Sequence, residues 1–460
     1  MNNELLWRAE DVMLAVQGRG LHEQSWTAKG ISIDSATTKP GDLFIARQDP
    51  LHDGHDCVGD AFAAGAVAAL VARQPSQVPP DIPLVFVSNT YEALLKLGRV
   101  ARERMCGKII AVMGSIGKTS TTEMMRLSLG AVGNVYASVG AANAWGLALA
   151  MASQPWSVNY GIYEMSDDSI SALAPIIRPD IAVVTLIETA AAVKAELFKS
   201  MDKNGTVILD NDSPCYDYLA RVAKKSGVKN ILTYSGKNKA TACLLKALST
   251  KEGSAVNAKI NGQDISYLIG AFGEHHVKNS LAVLLASFAA SGKLEECAAS
   301  LPHYRPPEGC GDLHEIILSD GGRIKLFDES RSASPVSVRA AIRVLAQSEI
   351  SGKGRRIFVI GDMDDLGITA PDLHMELVPD ILSAGISLVF CCGDTTRYLF
   401  DALPESLRGG YAVDSEEMAS LLAQTVQDSD VLTVKGSKGM EMGKVIDALT
   451  ASPQQKTAYA

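Results

Sequence analysis

No run in the sequence approaches the about eighteen consecutive apolar residues that a helix needs to cross a bilayer, so no membrane span is expected. Positive charge is also in short supply: 43 Lys and Arg stand against 52 Asp and Glu, a formal net charge of −9. A nucleic-acid surface depends on clustered basic side chains that neutralise phosphates, and this balance argues against one. The eight cysteines are scattered and form no C-x-x-C. The one adjacent pair, Cys391 and Cys392, lies in the strand-like run LVFCC, where burial is expected rather than a bridge. A reducing compartment, the cytoplasm, is the simplest account of such usage. The first residues, MNNELLWRAEDVML, carry acids early and lack the basic-then-apolar order of a secretory signal. Internal repeats and low-complexity tracts are missing, and the polar tail SPQQKTAYA is expected to fray.

What is present is ample material for a core. Apolar residues make up 47% of the 460 positions and charged residues 21%, an ordinary balance for a globular α/β protein of roughly two to four domains. Three segments are expected. Residues 1–105 mix short strands and helices: GISIDS reads as strand, KPGD as turn, LFIA as buried strand, and DAFAAGAVAALVA as a helix running into a strand. Residues 106–308 open with KIIAVM and then alternate strand-like runs (YGIYEM, IAVVTLI, GTVILD, NILTYS) with helical ones. That alternation predicts a mostly parallel sheet covered on both faces. The stretch HYRPPEGCGD (303–312), rich in Pro and Gly, reads as a linker. Residues 309–460 alternate again through RIKLFD, RRIFVIGD, ISLVFCCGD and DVLTVKG, which suggests a smaller Rossmann-like domain.

Residues 111–125 read AVMGSIGKTSTTEMM. A buried strand runs into Gly114, Ser115, Ile116, Gly117, Lys118, Thr119 and Ser120, and a helix follows. Glycines here let the backbone bend so that its N–H groups face phosphate oxygens, and the helix N-terminus adds a favourable dipole. Lysine in this pattern contacts the β and γ phosphates of a nucleotide, and the threonine hydroxyl ligates Mg²⁺. A bare G-K-T is a weak signal that a plain strand-to-helix turn also satisfies; its place between a strand and a helix makes ATP phosphate binding the stronger reading. The loop is two residues shorter than G-x-x-x-x-G-K-[ST].

The shortened form, G-x-x-G-K-[ST]-[ST], resembles the phosphate loop of the Mur ligase family, closest to its MurF type. Other segments carry the same resemblance along the chain: residues 31–72, RPDIAVVTLI, FGEHHVKNSLAVLLA, FDESRSASPVSVRAAIRVL, VIGDMDDLG with His374, and VKGSKGMEMGKVI. The resemblance implies three domains and an ATP-dependent, ADP-forming amide ligase that works through an acyl phosphate. Its substrates would be small molecules, a UDP-linked peptide or other carboxylate and an amine or dipeptide such as D-Ala-D-Ala. It also implies a monomer.

Residue by residue, the resemblance assigns Lys118 to the β and γ phosphates, and Thr119 and Glu164 to Mg²⁺. Lys194 matches a lysine that the family often carbamylates into an anionic metal ligand; a solvated helix lysine is the plainer reading. Asn279 matches an adenine-contacting amide and His275 the histidine before it, Asp328 and Glu329 an acidic pair near the ribose, and Ser35 and His55 a uridine-diphosphate pocket. Asn143 and Lys435 fall at substrate-binding positions; Lys435 equally suits a strand-end cap.

The chain also departs from the family pattern where chemistry is done. T-N-G-K-T becomes Ser115-Ile116-Gly117-Lys118-Thr119, and N-x-N-N-x-x-G becomes AANAWG, leaving Asn143. T-N-I-G-P-A-H-L-E, with about ten further residues before the lysine, collapses to TLIETAAAVK, and its histidine is absent. Gly-Arg at the linker reads Gly311-Asp312, Y-N-A-N-P reads Arg331-Ser332-Ala333-Ser334-Pro335, and D-S-R reads Asp34-Ser35-Ala36. A ligase is therefore one expectation, and a catalytically impaired relative acting as nucleotide-binding scaffold or regulator is the other.

Overall fold

A computed structural model of the chain describes residues 5–20, 25–49, 52–76, 78–79, 81–140, 143–187, 190–250, 252–318, 320–364 and 366–450. The first four residues read above for a signal, the tail SPQQKTAYA expected to fray, Ala141 and Ala142 of AANAWG, and Glu188 and Thr189 of TLIETAAAVK lie outside the described residues. The chain divides into two compact units. The first comprises Met1–Leu245, Ala258–Ile265 and Asn279–Leu301, and the second Lys246–Asn257, Ser266–Lys278 and Pro302–Ala460.

In the first unit, the strands Val135–Ser138, Tyr160–Glu164, Lys108–Met113, Ile181–Val184, Thr206–Asp210 and Asn230–Ser235 lie side by side in that order, all parallel. The central ones are buried on both faces, which is why IIAVM and IAVV read as unbroken apolar runs rather than alternating ones. The chain leaves Lys108–Met113 toward one side of the sheet, returns through Tyr160–Glu164, and crosses to the other side at Ile181–Val184. The order of connection therefore reverses around Lys108–Met113, and in open α/β sheets ligands bind beyond the strand C-termini at such a reversal.

A second sheet in this unit runs Arg19–Gly20, Leu84–Phe86, Ala68–Val71, Asp42–Ile45 and Gly30–Ser32, with only the first strand antiparallel. It is tied to the large sheet by the helix Thr90–Arg104, whose N-terminus is capped by the Asn89 side chain. One apolar cluster takes members from Leu6 to Val228, so the two sheets share a core. Within it the Trp7 indole donates to the Ala152 carbonyl at 2.9 Å and lies 3.8 Å beneath the Arg104 guanidinium.

Beyond Asn230–Ser235 the large sheet continues through Ala242–Thr250, Gly253–Ile260 and Gln263–Ile269. Most of Ala242–Thr250 is exposed.

The second unit holds six strands in the order Asp312–Ile317, Arg323–Glu329, Val431–Lys435, Arg356–Gly361, Leu388–Cys392 and Arg408–Ala412. Only the first pairing is antiparallel. Alternate residues feed opposite cores: Ile357 and Val359 enter one apolar cluster, Phe358 and Ile360 the other. The same alternation sends Cys392 and Cys391 to opposite faces, and both are free thiols, as their strand-like setting predicts. The mixed α/β architecture agrees with the sequence expectation. Among the described residues no helix is long and apolar enough to cross a membrane.

One buried carboxylate fastens the start of this second sheet. Asp430 is fully buried and accepts hydrogen bonds from Arg355 through the backbone N at 2.9 Å, Nε at 3.1 Å and Nη2 at 2.6 Å, and from the Gln427 backbone at 3.0 Å. Replacing it with alanine strands a partly buried guanidinium, a loss of about 3–5 kcal/mol. Asp430→Ala is therefore expected to lower the urea midpoint of the second unit's unfolding sharply. An unchanged midpoint would show the pair to be energetically idle.

Candidate active site

The phosphate loop forms because two glycines adopt conformations that other residues resist. Gly114 has φ +152°, and a Cβ there would stand 1.9 Å from Thr185 Oγ1. Gly117, at φ +83°, opens the helix Lys118–Gly130, and a Cβ there would meet Asn279 Nδ2 at 2.8 Å. The loop is stitched to the neighbouring strand end: the Ser115 and Ile116 N–H groups donate to the Leu186 carbonyl at 2.8 and 3.3 Å, and Thr185 Oγ1 donates to the Ile116 carbonyl at 2.7 Å. The backbone N–H groups of the first helical turn, Lys118, Thr119 and Ser120, have no partner within their own helix.

Four charged groups gather beside this turn. Lys118 folds back on the loop, its Nζ donating to the Gly114 carbonyl at 2.9 Å and the Ser115 carbonyl at 3.4 Å. Burial pushes its pKa down; Glu164 and Asp167 work against that shift and Lys194 adds to it. Glu164 ends its strand, is 7% exposed, and accepts from Thr119 Oγ1 at 2.8 Å and from the Gly140 N–H at 3.0 Å. Its own N–H donates to Ser138 Oγ at 3.1 Å. Lys194, on the helix Ala191–Ala195, is 1% exposed and pairs with Asp167 Oδ2 at 2.8 Å.

The structure thus brings together Gly114, Ser115, Gly117, Lys118, Thr119, Ser120, Glu164, Lys194 and Asn279 in the first unit. Thr119 and Glu164 fit Mg²⁺: a hydroxyl and a carboxylate oxygen 2.8 Å apart are hard donors at the mouth of a phosphate cradle. Among the described residues no group of three or more His, Cys, Asp or Glu forms a metal cage. A magnesium ion normally takes one or two carboxylates and completes its shell with water and phosphate oxygens, so a sparse donor set is the right kind.

Other expected site residues have local partners. Asn143 caps the helix Ala144–Ala152 by accepting from the Gly146 N–H at 2.9 Å. Ser35 begins the short 3-10 turn Ser35–Thr37. His55 is 1% exposed with both ring nitrogens engaged: Nε2 accepts from the Ala72 N–H at 2.8 Å, so Nδ1 carries the proton and donates to Asp53 Oδ1 at 2.5 Å. Within the second unit, Lys435 is 1% exposed and donates to Glu329 Oε2 at 3.2 Å and the Ser332 carbonyl at 2.9 Å. Asp328 is spent on the backbone, accepting from the N–H groups of Gly309 and Ser330 at 3.0 Å each. His275 packs against His276 at a tilt, with ring centres 4.1 Å apart. Burial lowers its pKa; Lys435 and Arg343 lower it further and Glu329 opposes them.

Sequence reasoning missed Asp167, Thr185, Ser138 and Gly140. Asp167 opens the helix Asp167–Ile177, where an acid is ordinary complement to the helix dipole and so announces nothing. Thr185 carried a possible signal, a polar residue closing an apolar strand run that ends beside the loop.

With this geometry in hand, comparison with known proteins gives a consistent result. The family model for the Mur ligase middle domain matches residues 112–287, and that for the Mur ligase glutamate ligase domain matches residues 316–438. The chain is 30% identical over 459 residues to the UDP-N-acetylmuramoyl-tripeptide–D-alanyl-D-alanine ligase of Rickettsia prowazekii (strain Madrid E), covering 96% of this chain and 99% of that protein. It is 27% identical over 442 residues to the Bacillus subtilis (strain 168) ligase of the same name, covering 92% and 93%. Among solved structures, MurF from Acinetobacter baumannii superposes with a TM-score of 0.83 at 22% identity, covering 97% of this chain and 99% of that one. MurF from Thermotoga maritima in complex with ADP superposes with a TM-score of 0.76 at 21% identity, covering 92% and 97%. At those identities the structural likeness establishes the fold.

The His55 latch has a pH signature. Burial favours protonation of Asp53, but hydrogen bonds from the His55 ring and backbone and from Arg73 outweigh it and hold the carboxyl at about 2 against an ordinary 3.8. A carboxylate depressed in the folded state stabilises fully above its unfolded pKa and loses that contribution as pH falls through its folded one. The stability gap between the native chain and Asp53→Asn should therefore be constant above about pH 4 and close toward pH 2. Urea midpoints at stepped pH measure it; a gap independent of pH would refute the latch.

Proposed function

The chain belongs to the Mur ligase family, and from that premise we propose that it is an ATP-dependent, ADP-forming amide ligase of the MurF type. Its acid would be UDP-N-acetylmuramoyl-tripeptide and its amine D-Ala-D-Ala, in peptidoglycan precursor synthesis. The observation that carries this is the grouping of Lys118, Thr119 and Glu164 at the mouth of a glycine loop that ends a parallel strand. The reading also takes residues 1–105, 106–308 and 309–460 as three domains. It makes the protein a cytoplasmic monomer acting on small molecules.

In this reaction the tripeptide carboxylate attacks the γ-phosphorus of ATP, ADP departs, and an acyl phosphate forms. The amine then attacks the acyl carbon and phosphate leaves with the bond electrons. Little covalent work falls to the protein, so catalysis is positioning and neutralisation of dispersed charge. Lys118 exchanges the Gly114 and Ser115 carbonyls for β- and γ-phosphate oxygens. Burial disfavours its charge, and phosphate anions restore the ammonium. The first-turn N–H groups of Lys118, Thr119 and Ser120 face the same oxygens. Thr119 and Glu164 would hold Mg²⁺, which supplies charge neutralisation between the β and γ phosphates. Gly140, donating to the second Glu164 oxygen, keeps that carboxylate aimed at the site.

The reading assigns adenine contact to Asn279, whose amide lies over Gly117, a nucleotide role to His275, and acid and amine binding to Ser35, Asn143 and Lys435. With both nitrogens engaged, His55 shapes the loop of a UDP pocket rather than touching the ligand. With Asp328 occupied by the backbone, Glu329 is the better ribose partner of the acidic pair.

One observation favours the second reading, a nucleotide-binding scaffold or regulator without turnover. The Ser115 and Ile116 N–H groups are committed to Leu186, which leaves the front of the cradle with fewer donors. The two readings separate in an ADP-release assay with Mg²⁺, with and without UDP-muramoyl-tripeptide plus D-Ala-D-Ala. The ligase releases ADP only with both substrates. Lys118→Ala and Glu164→Gln each lower the rate by roughly 100- to 1,000-fold, the usual loss on removing one preorganised electrostatic group. Tight ATP binding without turnover supports the regulator, and failure to bind ATP removes both readings.

A further inference from the structure

The parallel strands of the first unit's large sheet all start at one edge, opposite the edge where the phosphate loop leaves Met113. Cations collect along the starting edge. Arg178 and Lys203 shortly precede the strands Ile181–Val184 and Thr206–Asp210, and Lys229 immediately precedes Asn230–Ser235. Lys224 and Lys225 close the helix Tyr216–Lys225, which returns the chain to the same edge. The Lys229 N–H donates to the Lys203 carbonyl at 3.0 Å and the Gly227 N–H to the Lys224 carbonyl at 3.0 Å, so the four lysines share one corner. Lysines in a last helical turn answer the helix dipole, which accounts for Lys224 and Lys225; Lys203 and Lys229 lie outside any helix. All five cations are exposed, and among the described residues none of the four lysines forms an ion pair. The carboxylates of this corner are Asp180, already paired with Lys108 at 3.2 Å, and Asp202, which accepts from the Asn204 N–H at 2.8 Å. Farther along the same edge, at the starts of Lys108–Met113 and Tyr160–Glu164, lies a hollow of about 450 Å³ lined by Lys108, Tyr160 and Trp156. Trp156 is 58% exposed. Neighbouring strands stand about 4.8 Å apart, so the hollow and the lysine corner are separated by roughly 20 Å.

We propose that this edge is a peripheral docking surface for an anionic lipid bilayer, with Lys203, Lys224, Lys225 and Lys229 among the headgroups and Trp156 at the boundary with the acyl chains. Charge complementarity carries the choice of partner. The whole chain has a net charge of −9, so an anionic surface repels it on average and attracts it here, which selects one orientation. A lysine is a hydrated point charge on a flexible stem, and each one near a negative bilayer adds attraction without a set geometry. Four of the five cations are lysine, a composition suited to diffuse charge rather than to bidentate grip on single phosphates. An indole combines an apolar body with one N–H donor and favours the membrane–water boundary. Nucleic acid is the poorer fit, because single strands are held where aromatic rings alternate with cations, and here Trp156 stands well apart from the lysine corner. Contact of this kind needs no spanning helix, in keeping with the described residues. It leaves the phosphate loop, at the opposite edge of the sheet, facing away from the lipid. The proposal goes beyond the ligase reading and does not depend on it.

The test is sedimentation of the full chain with lipid vesicles. Vesicles of phosphatidylglycerol mixed with phosphatidylcholine are expected to carry the protein down, and vesicles of phosphatidylcholine alone to leave it in solution. Salt at about 1 M, where the Debye length is about 3 Å, should release it. Joint substitution Lys203→Gln, Lys224→Gln, Lys225→Gln and Lys229→Gln should weaken binding at least about 100-fold, since each lysine near an anionic surface counts for roughly fivefold. Lys237→Gln with Lys239→Gln removes two exposed lysines beyond the other end of the strand Asn230–Ser235 and should leave binding unchanged. Vesicles should also shift tryptophan emission to the blue, and Trp156→Ala should abolish that shift. Equal sedimentation with both kinds of vesicle, sedimentation with neither, or equal losses from the two lysine sets would overturn the proposal. So would a duplex oligonucleotide or an acidic polypeptide that binds the same edge more tightly than the anionic vesicles. Thermal melts check that each variant folds, and the native chain's preference between the two vesicle types decides even where one does not. Failure of the ligase reading shows separately, as an absence of ADP release on adding both substrates.

Discussion

The first unit is organised around the approach of the Gly114 backbone to Thr185, so close that a side chain at 114 would overlap the threonine hydroxyl. That contact lets the end of the strand Lys108–Met113 turn directly against the end of Ile181–Val184. The Leu186 carbonyl then accepts the next two loop N–H groups, and the Thr185 hydroxyl binds the Ile116 carbonyl. Only after this double fastening does Gly117 release the chain into a helix. The position of Lys118 and Thr119 relative to Glu164 follows from strand register, since Val112 pairs with Glu164 across the parallel ladder. A loop hung between two fixed strand ends is preorganised in the sense that catalysis by positioning demands.

That fastening also sets the meaning of Ile116. In a phosphate cradle the backbone carries most of the recognition, so an apolar side chain at 116 does not in itself remove a donor. The cost lies in the hydrogen bonds: the Ile116 N–H and carbonyl are both spent within the protein, on Leu186 and Thr185. On the ligase reading, phosphate recognition would therefore fall to the helix N-terminus and to cations. Lys118, held below its ordinary pKa by burial, would regain its charge beside an arriving anion.

Much of this was legible in the sequence, for identifiable reasons. Strands buried on both faces announce themselves as continuous apolar runs, and KIIAVM, YGIYE, IAVV, TVILD and LVFCC all became strands of parallel pairs. The strands Ala242–Thr250, Gly253–Ile260 and Gln263–Ile269 did not, because an edge with one wet face carries polar residues in no apolar run. At the site, Lys118, Thr119 and Glu164 were legible because each sits at a fixed offset from a strand end. Asp167 was not, because its partner lies 27 residues away on a different helix. The division of labour between Asp328 and Glu329 was equally hidden: adjacent acids in a strand point to opposite faces, and only the fold decides which one the backbone consumes.

The same reasoning bears on the charge reversal at the linker. Asp312 begins the strand Asp312–Ile317, directly across the antiparallel ladder from Asp328. Like charges opposite each other normally destabilise a pair. Here the Asp328 carboxylate is held by two backbone N–H donors from the turn, and Asp312 accepts from the Leu313 N–H at 3.1 Å with His314 Nε2 3.6 Å away. The turn is possible because Gly311, at φ +101°, faces His276 and Glu329 where a Cβ would crowd both. The glycine of the linker is thus demanded by backbone geometry, whereas the residue after it is free to change sign so long as its carboxylate finds local partners. A cation lost at 312 is not replaced by that aspartate.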